Sequence, residues 1–181
     1  MFQKQNQQLV LDTIAGILEA TQETYASHLL TLLDSTNRIF VAGVGRSKLV
    51  GNFLAMRLMH CGYEVFVVGD VVTPSITAND LLIVISGSGE TKQLHSLVRV
   101  AQKLGASTAL LTARNNSTLG EFADQVFQIG TEDTYRQIKG LPMGTSFELA
   151  VLCFLEALIC HLIREKKLPE EELRSRHANL E

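Results

Sequence analysis

Five short runs of consecutive apolar residues stand out along the chain. They are rich in Val, Ile, Leu and Phe and cover residues 38–43, 63–69, 81–86, 107–112 and 125–130. Continuous apolarity, rather than strict alternation, is typical of strands that are buried on both faces. Helices are predicted between the runs, at residues 48–60, 91–104 and 119–123. This alternation predicts an α/β fold, a three-layer, doubly wound, five-stranded parallel sheet of the flavodoxin-like kind, which binds ligands beyond the carboxyl ends of its strands.

Helical patterns flank this predicted sheet on both sides. Apolar positions within residues 9–33 fit one long or two shorter amphipathic helices, and residues 145–166 form a helix that is apolar nearly all round. Such a helix must be buried, either against its own sheet or against another subunit, and the second option predicts a homo-oligomer. Pro169 followed by three glutamates predicts the start of a final solvated helix.

Length and composition limit the class of protein. The 181 residues fit one domain, 1–181, with an N-terminal helical segment (1–37) and a C-terminal helical tail (167–181). Apolar residues make up 46% and charged residues 19%, which excludes a disordered or low-complexity chain. The formal net charge of −3, without a basic patch, argues against a nucleic-acid partner.

The termini and the cysteines bear on location. The N-terminus is polar, and Glu156 and His161 interrupt the most apolar stretch, so neither a signal peptide nor a span of about 20 apolar residues is expected. We therefore expect a cytoplasmic protein with no membrane partner. Three cysteines without a C-x-x-C pair indicate buried thiols in a reducing compartment, not disulfides or a zinc site. The five histidines show no metal-ligand spacing, so we expect neither a metal nor a cofactor.

A glycine-containing loop follows the first predicted strand. It reads Gly43-Val44-Gly45-Arg46-Ser47 and leads into a helix. A dinucleotide-binding fingerprint would need a third glycine at position 48, where the chain has Lys48. Asp70, after the second strand, keeps a Rossmann-type oxidoreductase as a weak alternative.

The most informative segment follows the third strand. It reads Ser86-Gly87-Ser88-Gly89-Glu90-Thr91 and again leads into a helix. Its glycines allow close approach of a ligand, while three hydroxyls and the unpaired N–H groups of a helix start can bind a phosphate monoester. The alternative is a capped helix, with Ser88 as the N-cap and Thr91 in the first turn. Because strands 1 and 3 are neighbours in a flavodoxin-like order, both loops would meet, and Ser47 would lie beside this segment.

Glu148 has two interpretations. Thr145 and Glu148 have the spacing of a capping box, with Thr145 as the N-cap, and spacing alone favours this structural role. However, Glu148 and Glu156 are the only carboxylates between Thr145 and Ile163. A carboxyl group among apolar neighbours suits a general base or acid near neutral pH.

Together these segments resemble a known family, the sugar isomerase (SIS) domain. The strand–GxGxS–helix and strand–SxSGxT–helix units are shared across that family of phosphosugar isomerases and sugar-phosphate sensors. The segments 56–60 (MRLMH), 141–148 (LPMGTSFE) and 176–180 (RHANL) narrow the resemblance to the 6-phospho-3-hexuloisomerases. It extends from the first strand to the C-terminus.

The resemblance implies a reaction and a set of site residues. The reaction is the conversion of D-arabino-3-hexulose 6-phosphate to D-fructose 6-phosphate through a cis-enediol, in the ribulose monophosphate route of formaldehyde fixation. It implies that Glu148 is the base that moves a proton between C2 and C3, and that His177 assists from another subunit. The phosphate would be bound by four residues of the two loops: Ser47, Ser86, Ser88 and Thr91. Arg46 would contact the substrate or the phosphate. It also suggests a homotetramer.

Two alternatives stay open from the residues alone. One is another phosphosugar isomerase, of the arabinose 5-phosphate or heptose-phosphate type. The other is a sugar-phosphate-binding module without catalysis, since fold does not imply function. A helix-turn-helix regulator is not expected, because Lys4 is the only basic residue among the first 37. Glu148 separates catalysis from binding, since a pure sensor does not need it.

Overall fold

The computed structural model describes residues 2–136 and 138–180, which form a parallel sheet covered by helices on both faces. The elements are α1 (Phe2–Glu19), α2 (Thr24–Asp34), β1 (Ile39–Gly43), α3 (Arg46–His60), β2 (Val65–Val67), β3 (Leu81–Ile85), α4 (Lys92–Lys103), β4 (Ser107–Thr112), α5 (Thr118–Phe122), β5 (Gln125–Gln128), α6 (Glu132–Arg136), α7 (Thr145–Glu165) and α8 (Glu170–Ser175). The predicted helix at 9–33 is two helices, and the final solvated helix after Pro169 is α8.

The sheet has five parallel strands in the order β2-β1-β3-β4-β5. This is the flavodoxin-like order, so the prediction that strands 1 and 3 are neighbours is confirmed. Strand β2 is shorter than its apolar run because it pairs with β1 over only three residues, after which Asp70 N donates to Val67 O in a turn. The connection from β2 to β3 crosses β1 without a helix.

Two apolar cores confirm the three layers. One lies between the sheet and helices α1, α2, α3 and α7, and the other lies between the opposite face and helices α4 and α5. The central strand β3 is fully buried, which explains the unbroken Leu-Leu-Ile-Val-Ile run. Burial of the sheet on both faces fixes the positions of the loops at its carboxyl edge.

An ion pair joins β1 and β3 at their amino ends. Asp80 is almost fully buried, and its carboxylate accepts hydrogen bonds from Arg38 Nη2 at 2.7 Å and from Arg38 Nε at 3.1 Å. Thr77 donates to the same carboxylate through its backbone N–H and its hydroxyl. Burial alone would raise the pKa of Asp80, but the hydrogen bonds from Arg38 and Thr77 outweigh burial and lower it.

Helix α7 is the most apolar helix of the fold by composition. Within the described part of the chain, it is the one helix long and apolar enough to cross a membrane by those two criteria. Half of its most apolar stretch is buried inside the fold, against α1, α3 and α6. The sequence left open whether this helix is covered by its own sheet or by another subunit. The structure shows that one chain covers half of the most apolar stretch of the helix.

Candidate active site

The two glycine loops lie side by side at the carboxyl edge of the sheet. Gly43, the last residue of β1, is paired with Ile85, the last residue of β3. Adjacent strands are about 4.8 Å apart, so the chain leaves the sheet at two neighbouring points. The structure therefore confirms that both loops meet where the strand order reverses.

The first loop turns sharply into α3. Gly45 is the N-cap and has φ of 59°, in the left-handed region that favours glycine, and its carbonyl accepts from the N–H groups of Lys48 and Leu49. Ser47 follows in the first turn of the helix and is partly buried. Its hydroxyl lies beside the positive end of the α3 dipole, where an anion would be stabilised.

The second loop, residues 86–91, is held by hydrogen bonds of its own hydroxyls, and we call it the serine loop. Ser86 is buried, and its Oγ lies 3.3 Å from Thr91 Oγ1, while Ser88 Oγ accepts from the N–H of Glu90. Gly89 has φ of 66°, and a Cβ there would collide with Ser117. The loop thus needs glycine at this position both for its conformation and for its packing.

The cap interpretation of this loop is not what the structure shows. Helix α4 begins at Lys92 with Thr91 in the N-cap position, and no side-chain cap hydrogen bond is made there. Ser88 lies three residues earlier and bonds within the loop instead. Its hydroxyl proton and the first N–H groups of α4 are therefore available to a ligand.

Glu90 has a structural role that the sequence did not indicate. Its carboxylate accepts hydrogen bonds from the N–H of Thr118 at 3.1 Å and from the Thr118 hydroxyl at 2.7 Å. These two bonds lower the pKa of Glu90. The serine loop is thereby attached to the start of α5, on the side away from β1.

Glu148 forms an ion pair across to the first loop. Arg46 Nε donates to Glu148 Oε2, and the glutamate side chain is only 12% exposed whereas that of Arg46 is 61% exposed. Phe147, the residue before Glu148, lies against Gly87 of the serine loop. The ion pair with Arg46 therefore holds Glu148 beside the first loop, and the packing of Phe147 against Gly87 holds it beside the second loop.

The capping-box interpretation of Glu148 is wrong. Thr145 is the first helical residue of α7, the N-cap is Gly144, and no side-chain cap hydrogen bond is made. Gly144 has φ of 83°, and the Glu148 carboxylate lies over it, since a Cβ at that position would be 3.3 Å from Glu148 Oε1. The left-handed glycine keeps space for the carboxylate, and T-x-x-E spacing cannot distinguish this arrangement from a capping box.

Helix α6 and its Tyr135 are absent from the sequence predictions. The Tyr135 ring lies against Gly87 and makes an edge-on contact with Phe147, with centroids 6.0 Å apart. Reciprocal bonds between Thr131 and Thr134 begin this short helix. The available signal was a threonine after Gly130, followed by two acidic residues.

His177 lies far from Glu148 within one chain. Its ring stacks on His60 with centroids 4.0 Å apart, at the end of α3, whereas Arg46 begins that helix. Fourteen residues of helix place these two positions about 21 Å apart. Burial, His177 and Arg57 together lower the pKa of His60. A single chain therefore brings together the predicted residues of the two loops and Glu148, but not His177.

The oxidoreductase alternative finds no support at Asp70. Lys48 stands where a dinucleotide-binding loop would have glycine, and its Nζ lies 3.8 Å from Asp70 Oδ1. The carboxylate that would bind a ribose is thus paired with a lysine of the helix itself. Among the described residues there is also no cluster of three or more His, Cys, Asp or Glu side chains that could hold a metal.

The family follows from comparison with known proteins. A family model described as the SIS domain matches residues 32–159, which include every element from β1 to the middle of α7. The chain belongs to the SIS domain family. The resemblance drawn from the loop motifs is confirmed, as is the parallel sheet that carries the SIS loops.

Two curated SIS relatives carry the same name. A protein named 3-hexulose-6-phosphate isomerase from Methylomonas aminofaciens is 47% identical over 177 residues, which is 97% of this chain and 98% of the relative. Its namesake from Bacillus subtilis is 37% identical over 176 residues, covering 94% of this chain and 92% of the relative.

A solved structure extends the comparison. A hypothetical protein from Methanococcus jannaschii has a TM-score of 0.86 and 32% identity, with 94% of this chain and 98% of that chain covered. The description of that structure infers a function of 3-hexulose-6-phosphate isomerase. This chain is therefore similar in fold to the solved structure, and it is similar in sequence to relatives that are named for one isomerisation.

Proposed function

We propose that this protein is a phosphosugar isomerase that converts D-arabino-3-hexulose 6-phosphate to D-fructose 6-phosphate. The observation that carries the proposal is the position of Glu148, beside both hydroxyl-bearing loops at the carboxyl edge of the sheet. Near full-length relatives with this name support the choice of substrate. We place the reaction in the ribulose monophosphate route of formaldehyde fixation, in the cytoplasm.

The phosphate is assigned to the two loops. The hydroxyls of Ser86 and Thr91 lie 3.3 Å apart in the second loop, and the Ser88 hydroxyl accepts from the Glu90 N–H and keeps its own proton for a ligand. Ser47 adds a hydroxyl from the start of α3. Two helix N-termini and these hydroxyls stabilise a dianionic phosphate without lysine or metal, and they hold the sugar so that the carbonyl lies next to the base.

Glu148 is assigned the proton transfer between carbons. Its carboxylate removes the proton from C2, the electrons form the C2–C3 double bond, and the C3 carbonyl becomes an enediol oxygen. Return of the same proton to C3, together with transfer of the O2 hydroxyl proton to O3, produces the C2 carbonyl and the C3 hydroxyl of fructose 6-phosphate. A positioned base contributes typically ~10²–10⁴-fold to such a rate.

Arg46 and His177 are assigned supporting roles. Arg46 is paired with Glu148, and its exposed guanidinium can also interact with the substrate oxygens, where positive charge stabilises an enediolate. His177 is proposed to assist transfer of the hydroxyl proton or ring opening, from a neighbouring subunit, because its own chain places it at the far end of α3. The proposed assembly is a homotetramer.

A coupled assay tests the proposal. The hexulose phosphate is generated from ribulose 5-phosphate and formaldehyde by its synthase, and fructose 6-phosphate is read as NADPH through glucose-6-phosphate isomerase and dehydrogenase. NADPH formation that depends on this protein is expected. Its absence with a folded protein would contradict the hexulose assignment, and activity on arabinose 5-phosphate or a heptose phosphate instead would transfer the protein to another phosphosugar.

A further inference from the structure

Arg176 attaches the C-terminal part of the chain to the end of α3. Its Nη1 donates to the carbonyl of His60 at 3.1 Å, and its Nη2 lies 3.5 Å from Glu172 Oε2. Helix α3 ends at His60, so this carbonyl is one of the last four of the helix, which have no partner within it. A positive charge at this end also complements the dipole of α3. Arg176 therefore caps α3 from a distant part of the chain.

Gly62 allows the guanidinium to come close to the backbone that follows α3. It has φ of 90°, and a Cβ at this position would be 3.3 Å from Arg176 Nη2 and 3.4 Å from Arg176 Cζ. A larger residue at position 62 would have to displace the guanidinium. The glycine and the arginine thus form one contact.

His177 contacts the same residue of α3 through its ring. The His177 and His60 rings are stacked, with centroids 4.0 Å apart and 16° between their planes. The His60 side chain is buried, so it offers a fixed surface for this stack. Two consecutive residues therefore bind His60, Arg176 at its carbonyl and His177 at its ring.

These two contacts are important because regular structure ends just before them. Helix α8 ends at Ser175, and residues 176–180 belong to no helix or strand. His177 is exposed and lines a cavity of about 580 Å³ beside His60, a volume typical of small-molecule sites. The ring therefore has space for a ligand beside it, and its direction depends on the Arg176 bond and on the stack.

We propose that Arg176 is a positioning residue for His177. The role rests on the proposed function, in which His177 assists proton transfer from a neighbouring subunit. Arg176 needs no contact with the substrate, because its bond to the His60 carbonyl fixes the backbone one residue before His177. A misplacement of about 1 Å can cost about 10²-fold in rate, so proton transfer requires the ring to be held.

Two substitutions of Arg176 and a matched control test this role in the coupled assay. Arg176→Ala removes the bond to α3, and Arg176→Lys keeps one charged donor. Arg174→Ala is the control, because Arg174 lies on α8 and is paired with Glu170 in the i, i+4 spacing that also joins Arg176 to Glu172. The Arg174 side chain is 76% exposed, and its hydrogen bonds within the described residues go to Glu170 alone.

The expected result is a loss in kcat rather than in KM. Removal of a hydrogen bond from a charged donor lowers the population of the held position about 10- to 100-fold. The kcat of Arg176→Ala should therefore fall about 10- to 100-fold, and by no more than that of His177→Asn. KM should stay within about twofold, because the phosphate is assigned to the two glycine loops. Arg176→Lys should recover part of the loss, and Arg174→Ala should turn over like wild type.

A double variant separates positioning from a general structural effect. If Arg176 acts through His177, then Arg176→Ala should cost no more than about twofold in kcat when His177→Asn is already present. Losses that multiply would show that Arg176 acts independently of His177.

The histidine rings provide a readout that does not depend on activity. With histidine labelled by carbon-13 in the ring, the stacked His60 and His177 should give a nuclear Overhauser effect between their ring protons in wild type and in Arg174→Ala. The signal that disappears in His177→Asn identifies that ring. We expect the effect to be lost in Arg176→Ala and partly restored in Arg176→Lys, with the circular dichroism spectrum and the mass in solution unchanged.

Several results would overturn the role of Arg176. They are an unchanged Overhauser effect or wild-type kcat in Arg176→Ala, an equal loss in Arg174→Ala, or losses that multiply in the double variant. Wild-type turnover of His177→Asn would overturn it too, and would remove His177 from the proposed mechanism. A wild type without isomerase activity would contradict the proposed function, whereas the Overhauser comparison still decides whether Arg176 holds the ring.

Discussion

Replacement of Asp80 by asparagine should destabilise the sheet that carries both loops. The Asp80 side chain is 1% exposed and accepts four hydrogen bonds, two of them from the Arg38 guanidinium. Removal of one partner of a buried ion pair costs roughly 3–5 kcal/mol. Arg38 is 22% exposed and can recover some hydration, so we expect the lower end, about 3 kcal/mol.

This loss converts into a measurable change in melting temperature. For a chain of this length, each 1 kcal/mol lowers Tm by about 2–4 °C, so Asp80→Asn should melt about 6–12 °C below wild type. Asp70→Asn is the control, because Asp70 is exposed and its lysine is 3.8 Å away, and it should change stability by less than about 0.5 kcal/mol. Thermal unfolding of all three proteins is compared at equal concentration by circular dichroism.

The pH dependence gives an independent check on the cause. The pKa of Asp80 is lower in the folded chain than in the unfolded chain, so its contribution is complete above the unfolded value of about 3.9 and is lost as pH falls through the folded value. The difference between wild type and Asp80→Asn should therefore shrink below about pH 4. A Tm within about 2 °C of wild type at pH 7, or an equal deficit at pH 3 and pH 7, would refute this reasoning.

Two further substitutions test the serine loop. Ser88→Ala should raise KM about 10- to 100-fold by removing a hydrogen bond to the charged phosphate, while Ser96→Ala on the exposed side of α4 should leave KM unchanged; equal KM values in steady-state kinetics would contradict the phosphate assignment. Gly87→Ala should cost about 1–3 kcal/mol in urea unfolding because its Cβ meets the Tyr135 ring, whereas Gly16→Ala, with open space around it, should be neutral or stabilising. A stable Gly87→Ala protein would show that α6 does not pack against the loop as described.

The sheet could be predicted because its signal is local and repeated. Five apolar runs with glycine loops after two of them leave few arrangements, and the order β2-β1-β3-β4-β5 follows from the flavodoxin-like pattern. Helix α6 could not be predicted with the same ease. Its five residues are too few for a hydrophobic period, and it depends on packing of Tyr135 against Gly87.

The candidate site residues also differ in how far the sequence alone could predict them. Ser47, Ser86, Ser88 and Thr91 could be predicted as phosphate ligands because they lie in loops whose spacing is visible in the chain. The role of Glu148 depends on the left-handed Gly144 and on Arg46, which lies about a hundred residues earlier, and neither is visible in T-x-x-E spacing. The role proposed for His177 requires a further copy of the chain, because within one chain its ring stacks on His60 at the far end of α3.

The most direct test of the central claim is the kcat of Glu148→Gln in the coupled assay. Glu156→Gln is the matched control, because Glu156 lies on the same helix and is paired with an arginine of α3 in the same way. With all three proteins folded and of equal mass in solution, we predict a fall of about 10²–10⁴-fold for Glu148→Gln and near wild-type turnover for Glu156→Gln. Turnover of Glu148→Gln within about threefold of wild type would contradict the assignment of Glu148 as the base.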